Sequence, residues 1–107
     1  MQTVKIAILT QSARKGKKWK IQYDGKKIHF GAEGYLDYTQ HGDRETKELY
    51  ILRHQATGRE QWNNPNTAGF WSRWLLWQEP TLSESIAYIE KKFKIKVFPR
   101  INKELLS

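Results

Sequence analysis

The chain of 107 residues is long enough to form one domain, residues 1–107, with a substantial hydrophobic core. It has no cysteine, which excludes disulfides, thiolate metal sites and cysteine nucleophiles. The net charge of +8 is uneven, with +7 in residues 1–30, −4 in residues 31–90 and +5 in residues 91–107. Basic ends around an acidic middle indicate either a polyanionic partner or a soluble surface that uses lysine.

The first thirty residues predict three β-strands. Thr3–Leu9 is rich in β-branched residues and alternates around Lys5. Lys18–Tyr23 and Lys27–Phe30 flank Asp24-Gly25, a dipeptide typical of hairpin turns. Each hairpin strand has one basic and one apolar face, and the apolar residues are Trp19, Ile21, Tyr23, Ile28 and Phe30. This pattern is typical of a hairpin that packs on a core.

A helix is predicted over Arg44–Ala56. It follows an aromatic connection at residues 35–41, for which the pattern predicts no particular secondary structure. Asp43 is suited to the N-cap, and Gly58 to the left-handed conformation beyond the helix end. The apolar stripe of this helix consists of Leu49, Leu52 and Ala56 with Glu45 at its head, while Tyr50 and His54 share a flank.

The most apolar segment, Trp62–Trp77, holds four of the five tryptophans. Asn66 and Thr67 precede an apolar run and predict a helix start, so we expect one helix over Ala68–Trp77. A helix that is apolar on nearly every side is buried on several sides, which makes this the expected core helix. It is too short to span a membrane, which takes about 20 residues.

Arg73 lies on the narrow polar strip of this core helix, with Ser72. A buried guanidinium left unpaired is costly. We therefore expect Arg73 to pair with a carboxylate of the acidic middle segment, either Asp37 or Glu60.

A third helix begins after Pro80, where Thr81 and Glu84 form a capping box. Its buried stripe is predicted to be Leu82, Ile86, Ile89 and Phe93, and its end is rich in lysine. Residues 95–98 alternate and predict a short last strand stopped by Pro99. The predicted fold class is α+β: an N-terminal strand and a β-hairpin packed on three helices, with a short C-terminal strand.

The only carboxylate–imidazole set consists of Asp37, His41, Asp43, His54 and Glu60. Such groups hold divalent metals or act as acid and base in phosphodiester cleavage, but the spacing matches no metal motif. The alternative is that Asp37 and His41 fix their loop by hydrogen bonds to the backbone and that His54 caps its helix. We expect no metal, no cofactor and no catalytic residue.

Lysines dominate both basic ends, and lysines bind phosphates without reading sequence. The candidate nucleic-acid-binding residues are Lys15, Lys17, Lys18, Lys20, Lys26, Lys27, Lys91, Lys92, Lys94 and Lys96. Trp19 and Tyr23 would stack on bases if their face were open, whereas the packing alternative makes that face core.

Residues 18–95 resemble a family of small uncharacterised proteins encoded by large DNA viruses and phages. The resemblance is carried by Phe30-Gly31, by Gly34–Arg44, by the run Thr67–Trp77 (Thr-Ala-Gly-Phe-Trp-Ser-Arg-Trp-Leu-Leu-Trp) and by Pro80–Ile86. It implies a viral origin and a compact domain, and it transfers no catalytic residue. One departure is visible, since residues 43–48 are less basic here than in relatives.

These observations lead to three hypotheses. The first is a non-enzymatic viral accessory protein that binds nucleic acid through its basic ends without sequence specificity. The second is a virion component or an inhibitor of a host enzyme, with a viral or host protein as partner. The third is a metal-dependent nuclease that uses His41, Asp43 and His54.

The apolar run after Met1 is short and carries Lys5, so we expect a protein of the host cytoplasm or virion that is not secreted.

Overall fold

The computed structural model describes residues 5–107, so Thr3 and Val4 of the first predicted strand lie outside the described residues. The strands are β1 (Lys5–Gln11), β2 (Lys17–Tyr23), β3 (Lys26–Ala32) and β4 (Ile95–Pro99). They form one sheet in the order β3-β2-β1-β4, in which β4 runs parallel to β1 and the other neighbours are antiparallel. The C-terminal strand therefore lies beside the N-terminal one.

The helices follow β3, and all but a short C-terminal 3-10 helix precede β4. This arrangement confirms the α+β fold class. They are α1 (Tyr38–His41), α2 (Arg44–Ala56), α3 (Ala68–Trp71), a π-helix (Ser72–Leu76), α4 (Leu82–Phe93) and a 3-10 helix (Lys103–Leu106). No helix in residues 5–107 is long and apolar enough to cross a membrane.

The predicted helix starts are confirmed by their caps. The side chains of Asp43, Thr67 and Thr81 each accept a hydrogen bond from a backbone N–H in the first turn of the helix that follows. These contacts satisfy N–H groups that have no partner inside the helix. The predicted capping box is formed only in part, because the Glu84 carboxylate accepts a hydrogen bond from the Thr81 hydroxyl at 2.8 Å and not from the Thr81 backbone N–H.

The tryptophan segment is the centre of the core, as expected. Trp71 and Leu75 are fully buried, and Trp74 is 7% exposed. The single helix predicted over residues 68–77 is wrong in form, because one α-helical turn passes into a π-helix at Ser72. Two indole N–H groups anchor this region to the preceding loop: Trp71 donates to the Pro65 carbonyl at 2.8 Å and Trp74 to the Trp62 carbonyl at 2.6 Å.

Helix α2 packs through a different face from its predicted apolar stripe. Leu49 and Leu52 are 51% and 62% exposed, whereas Tyr50 is buried. The Tyr50 ring stacks on Trp77 with centroids 4.3 Å apart, and the His54 ring lies 4.2 Å from Tyr50. A large ring between two aromatic neighbours buries more apolar area than a leucine, which explains why this face contacts the rest of the fold.

Candidate nucleic-acid interface

The helices cover one face of the sheet. Alternate strand residues, among them Leu9, Trp19, Ile21, Phe30 and Val97, belong to the same buried cluster as the tryptophan segment. The residues between them lie on the opposite side of the sheet, because successive side chains of a strand point to opposite faces. We call this side the open face; its residues are Ile6, Ile8, Thr10, Lys20, Gln22, Lys27, His29, Lys96 and Phe98.

The strand register sets these side chains in rows. The central row crosses all four strands and consists of Lys27, Gln22, Ile8 and Phe98. A row on one side contains His29, Lys20 and Thr10, and a row on the other contains Ile6 and Lys96. With strands about 4.8 Å apart, the central row is about 15 Å wide. Lysines thus lie on both sides of an apolar centre, and none of the nine residues is acidic.

The open face concentrates positive charge around His29. Partial burial lowers the pKa of the His29 imidazole, and the nearby cations of Arg14, Lys20, Lys17 and Lys27 lower it further. The His29 ring also shares a hydrogen bond of 2.7 Å with the Ser12 hydroxyl. Desolvation is the largest cause of this lowered pKa, and the four cations add to it, so the surroundings of His29 are positively charged.

Two shallow depressions flank the Ile6–Ile8 side chains. One, of about 430 Å³, lies against Phe98, Pro99 and Arg100. The other, of about 380 Å³, extends to the β2–β3 turn, residues 22–27. Phe98 is 43% exposed, and the Lys96 ammonium lies 5.6 Å from the centre of its ring. An exposed ring beside a cation suits a planar, negatively charged partner.

The structure divides the ten candidate lysines among several places. Lys20, Lys27 and Lys96 are on the open face. Three others, Lys15, Lys17 and Lys26, are exposed at or near the turns that join the strands. Lys91 and Lys94 line a depression on α4 with Glu90 and Ala87, away from the open face.

Two of the ten lysines are occupied by contacts within the fold. The Lys18 ammonium donates to the Asp37 carboxylate at 2.8 Å and to the Gln40 side-chain oxygen at 2.6 Å. The Lys92 ammonium lies 4.3 Å from the centre of the Trp74 ring. The Lys18 side chain is largely buried by its contacts, whereas Lys92 lies against the Trp74 ring and stays exposed.

The aromatic residues of β2 do not belong to the open face. Trp19 and Tyr23 are 8% and 7% exposed and belong to the core cluster. The Tyr23 ring meets Trp71 edge to face, with centroids 5.8 Å apart. The packing alternative for these residues is confirmed, and the exposed ring of the sheet is Phe98 instead.

The carboxylate–imidazole set is divided between local contacts. Asp37 caps α1, accepting hydrogen bonds from the backbone and side chain of Thr39. His41 accepts from the Asp43 backbone N–H at 2.8 Å. The expected backbone hydrogen bonds of Asp37 and His41 are therefore confirmed.

The His54 side chain does not cap its helix; it lies 2.6 Å from the Glu60 carboxylate. Within residues 5–107, no group of three or more histidine, aspartate or glutamate side chains is arranged to hold a metal ion.

The expected ion pair of Arg73 is wrong. Asp37 pairs with Lys18 and Glu60 with His54, so neither carboxylate is paired with Arg73. The Arg73 guanidinium is buried beside two tryptophans, 4.3 Å from the Trp74 ring centre and 5.3 Å from that of Trp62. It donates to the Gln78 side-chain oxygen at 2.9 Å, and desolvation lowers its pKa. Aromatic faces and an amide oxygen replace the carboxylate.

Sequence reasoning missed the apolar centre of the open face. The run Ile6-Ala7-Ile8-Leu9 carries apolar residues on both faces of β1, a pattern typical of strands covered on both sides. Here only one side is covered, so Ile6 is 57% exposed. This apolar pattern on both faces of β1, next to basic segments of the sequence, could have predicted the apolar centre of the open face.

Comparisons with known proteins add a family match without a function. The model of a family of unknown function, DUF5754, matches residues 7–54, from β1 to near the end of α2. The match is to an uncharacterised family, and the tryptophan segment lies outside it. No curated protein and no solved structure matches the chain.

Proposed function

We propose that this protein is a non-enzymatic binding protein that holds nucleic acid on its open face, without sequence specificity. The observation that carries the proposal is the position of β4 beside β1, which brings Lys96 of the basic C-terminal segment onto the same face as Lys20 and Lys27. The two basic ends of the sequence thus contribute to one surface. Lysine ammonium groups neutralise phosphates but do not read bases.

The apolar centre of the open face favours single strands as the ligand. Bases of a single strand are free to stack on an exposed aromatic ring, whereas those of a duplex are already stacked. Phe98 provides such a ring, with the Lys96 ammonium 5.6 Å from its centre. We therefore propose that phosphates lie along the lysines while a base stacks on Phe98.

The resemblance of residues 18–95 to viral and phage proteins supports a further proposal, that the protein is a viral accessory protein. It would act on nucleic acid in the host cytoplasm or in the virion.

Fluorescence anisotropy with labelled oligonucleotides over a salt series tests the proposal. The variant Lys20→Gln/Lys27→Gln/Lys96→Gln removes three charges from the open face. A matched control, Lys91→Gln/Lys94→Gln/Lys103→Gln, removes three exposed charges elsewhere. We expect the first variant to reduce the slope of log affinity against log salt by about 2, at about 0.7 per single-strand phosphate contact. The control should keep the wild-type slope.

Two results would contradict the proposal at different levels. Wild-type protein that binds neither single strands nor duplexes at low salt would exclude a nucleic-acid function. Equal losses in the two triple variants would mean that binding is spread over the surface and that the open face is not the site.

A separate variant, Phe98→Leu, tests the stacking step. Leucine keeps an apolar side chain but removes the ring. We expect single-strand affinity to fall by about tenfold, within the range of one base–aromatic stack, and duplex affinity to stay the same. An unchanged single-strand affinity would contradict base stacking on Phe98 and the preference for single strands. It would not contradict phosphate binding by the lysines.

A second candidate function, binding of a viral or host protein, is favoured by exposed apolar residues outside the open face. Tyr35 and Leu36 are 75% and 64% exposed, as large apolar side chains at interaction surfaces are. Affinity capture from host lysate with and without nuclease separates the two functions. Partners that are lost after nuclease support nucleic-acid binding, and partners that remain support protein contact.

A further inference from the structure

Ser12 and His29 form a hydrogen-bonded pair at one corner of the open face. Ser12 directly follows β1 and His29 lies in β3, so the two residues come from either side of β2. The Ser12 hydroxyl and the His29 Nδ1 atom are 2.7 Å apart, and the Ser12 oxygen also accepts a hydrogen bond from the Arg14 backbone N–H at 3.0 Å. The loop that follows β1 is therefore held against this corner.

Positive charge converges on the pair from three parts of the chain: the β1–β2 loop, β2 and β3. Desolvation lowers the pKa of the His29 imidazole, and nearby cations lower it further; these are Arg14, Lys17, Lys20 and Lys27. An imidazole in such surroundings is neutral near pH 7 and has an anion-attracting environment.

The carboxylates nearest in the fold lie on the helix side of the loop. They border the depression that also contacts Ser12 and Lys17, and they are Glu33, Asp37 and Glu104. Asp37 is paired with Lys18, and Glu33 accepts a hydrogen bond from the Gly16 N–H at 3.1 Å. His29 is not among the described residues that line this depression. The charge around His29 itself is therefore set by the four cations.

Protonation of His29 doubles the number of hydrogen-bond donors that the pair offers to a ligand. A neutral imidazole has one N–H, and the Ser12 hydroxyl supplies a second hydrogen. One of these two hydrogens is used in the bond between the residues, whichever tautomer is present, so one is left for a ligand. A protonated imidazole has two N–H groups, so two hydrogens are left. An anion that accepts both therefore favours a protonated His29.

We propose that this corner of the open face binds the terminal phosphate of a nucleic-acid strand and that His29 takes up a proton from solvent as the phosphate binds. The inference rests on the proposed function, because it assigns one end of the bound strand to the Ser12–His29 pair. A terminal phosphate carries a charge of about −1.5 to −2 and three strong acceptor oxygens. A phosphate inside a strand has a single charge and fewer free oxygens, so it matches two donors and four cations less well.

The position of the pair suits the end of a strand. His29 lies in the edge strand β3 and in an outer row of the open face. Phe98 lies in the opposite edge strand, about 15 Å across the sheet. A strand whose terminal phosphate binds at His29 therefore extends over the sheet toward the ring proposed to stack on a base.

Fluorescence anisotropy with one single-stranded sequence in three forms tests the terminal-phosphate site. The forms carry a 5′-phosphate, a 3′-phosphate or no terminal phosphate, and each has the same internal label. At pH 6.5, where a terminal phosphate with a pKa of about 6 is mostly doubly charged, we expect one phosphorylated form to bind about tenfold more tightly than the unmodified form. The form that gains shows which end of the strand binds at His29.

The pH dependence of this gain tests proton uptake. Because the bound phosphate raises the pKa of His29, the gain should be present at pH 6.5 and decline as the pH rises to 8. His29→Asn keeps a polar side chain but cannot titrate, so the smaller gain that remains should not depend on pH over this range. His54→Asn is the matched control, since His54 is a half-exposed histidine on α2, outside the open face, and it should behave like the wild type. Circular dichroism confirms that each variant is folded.

Nuclear magnetic resonance titration of the histidine rings measures the proton directly. The chain has three histidines, so the His29 signals are those that disappear in His29→Asn. We expect the phosphorylated form that binds more tightly to move the pKa of His29 from below its ordinary value of 6.5 to above it. A His29 that only supports the loop would show no such change.

The outcomes separate this inference from the proposed function. Equal binding of the three forms would overturn the terminal-phosphate site and leave nucleic-acid binding by the open face in place. A gain that has the same pH dependence in His29→Asn, or an unchanged pKa of His29 in the complex, would overturn proton uptake. Binding of none of the forms at low salt would overturn the proposed function and this inference with it.

Discussion

The tryptophan segment and α2 are both helical and both carry consecutive large apolar side chains, yet their burial differs. In the tryptophan segment, Phe70, Trp71 and Leu75 are fully buried. In α2, Tyr50 is buried while Leu52, two positions further on, is 62% exposed. The same residue class at similar spacing is core in one segment and surface in the other.

The difference lies in what each segment packs against. The tryptophan segment is held between the sheet and α4, and its rings meet side chains from both, such as Tyr23 of β2 and Phe93 of α4. Helix α2 meets the fold along one line only, through Tyr50 and its neighbours. Helical spacing therefore shows which residues share a face, but the layers on either side of the helix decide whether that face is buried.

The largest expected effect on stability comes from a substitution in the tryptophan segment, and it tests whether that segment is buried while the side of α2 is not. Trp74→Ala should lower the free energy of unfolding by about 3–5 kcal/mol, the range for removing a buried large aromatic side chain. That loss is comparable with the whole stability of a small domain, about 5–15 kcal/mol. Chemical denaturation measures it. An unchanged midpoint would mean that the Trp74 ring faces solvent and that the segment is a surface, as the side of α2 with Leu49 and Leu52 is.

Arg73 is the exception inside the buried segment, and its removal should cost less than that of Trp74. Arg73→Ala loses two cation–aromatic contacts and the hydrogen bond to Gln78, but it leaves no carboxylate unpaired. We expect a loss of about 1–3 kcal/mol. Arg73→Met, which keeps most of the packing, should lose less than Arg73→Ala. A loss of about 3–5 kcal/mol in both variants would instead indicate a hidden ionic partner.

Much of the fold could be predicted from local patterns. The cap residues Asp43, Thr67 and Thr81 gave three helix starts, because capping depends on side chains adjacent in sequence. The Asp24-Gly25 turn and the alternation after Trp19 gave the hairpin in the same way. These features need no knowledge of distant contacts.

The remaining features depend on residues far apart in the chain. The parallel pairing of β4 with β1 joins the two ends of the sequence, and no local pattern specifies it. The same pairing creates the open face. Sequence patterns therefore identified the candidate lysines, but they could not predict that Lys96 lies on the sheet while Lys91 lies on α4. The partner of Arg73 was missed for a similar reason, since the carboxylates of Asp37 and Glu60 contact Lys18 and His54 instead.

A smaller effect is expected at the start of α2, where the Asp43 side chain caps the helix. The hydrogen bond from the Thr46 hydroxyl, with those from the Thr46 and Glu45 backbone N–H groups, holds the pKa of Asp43 below its ordinary value. Because the folded pKa is below the unfolded one, the stabilisation is complete above about pH 4 and is lost as the pH falls through the folded value. Asp43→Ala should therefore lower the denaturation midpoint at pH 7 and have less effect near pH 2. Equal effects at both pH values would contradict a role for the ionised cap.

The smallest effect is expected from an exposed leucine of α2, compared with a leucine in the buried segment. Leu52→Ala removes a side chain that is 62% exposed, and alanine favours the helix, so the free energy of unfolding should change by less than about 0.5 kcal/mol. Leu75→Ala makes the same chemical change at a fully buried position and should cost about 2–5 kcal/mol. Both are measured by chemical denaturation. A loss above about 2 kcal/mol for Leu52→Ala would mean that Leu52 packs within its own chain, and the comparison between the two segments would then be wrong.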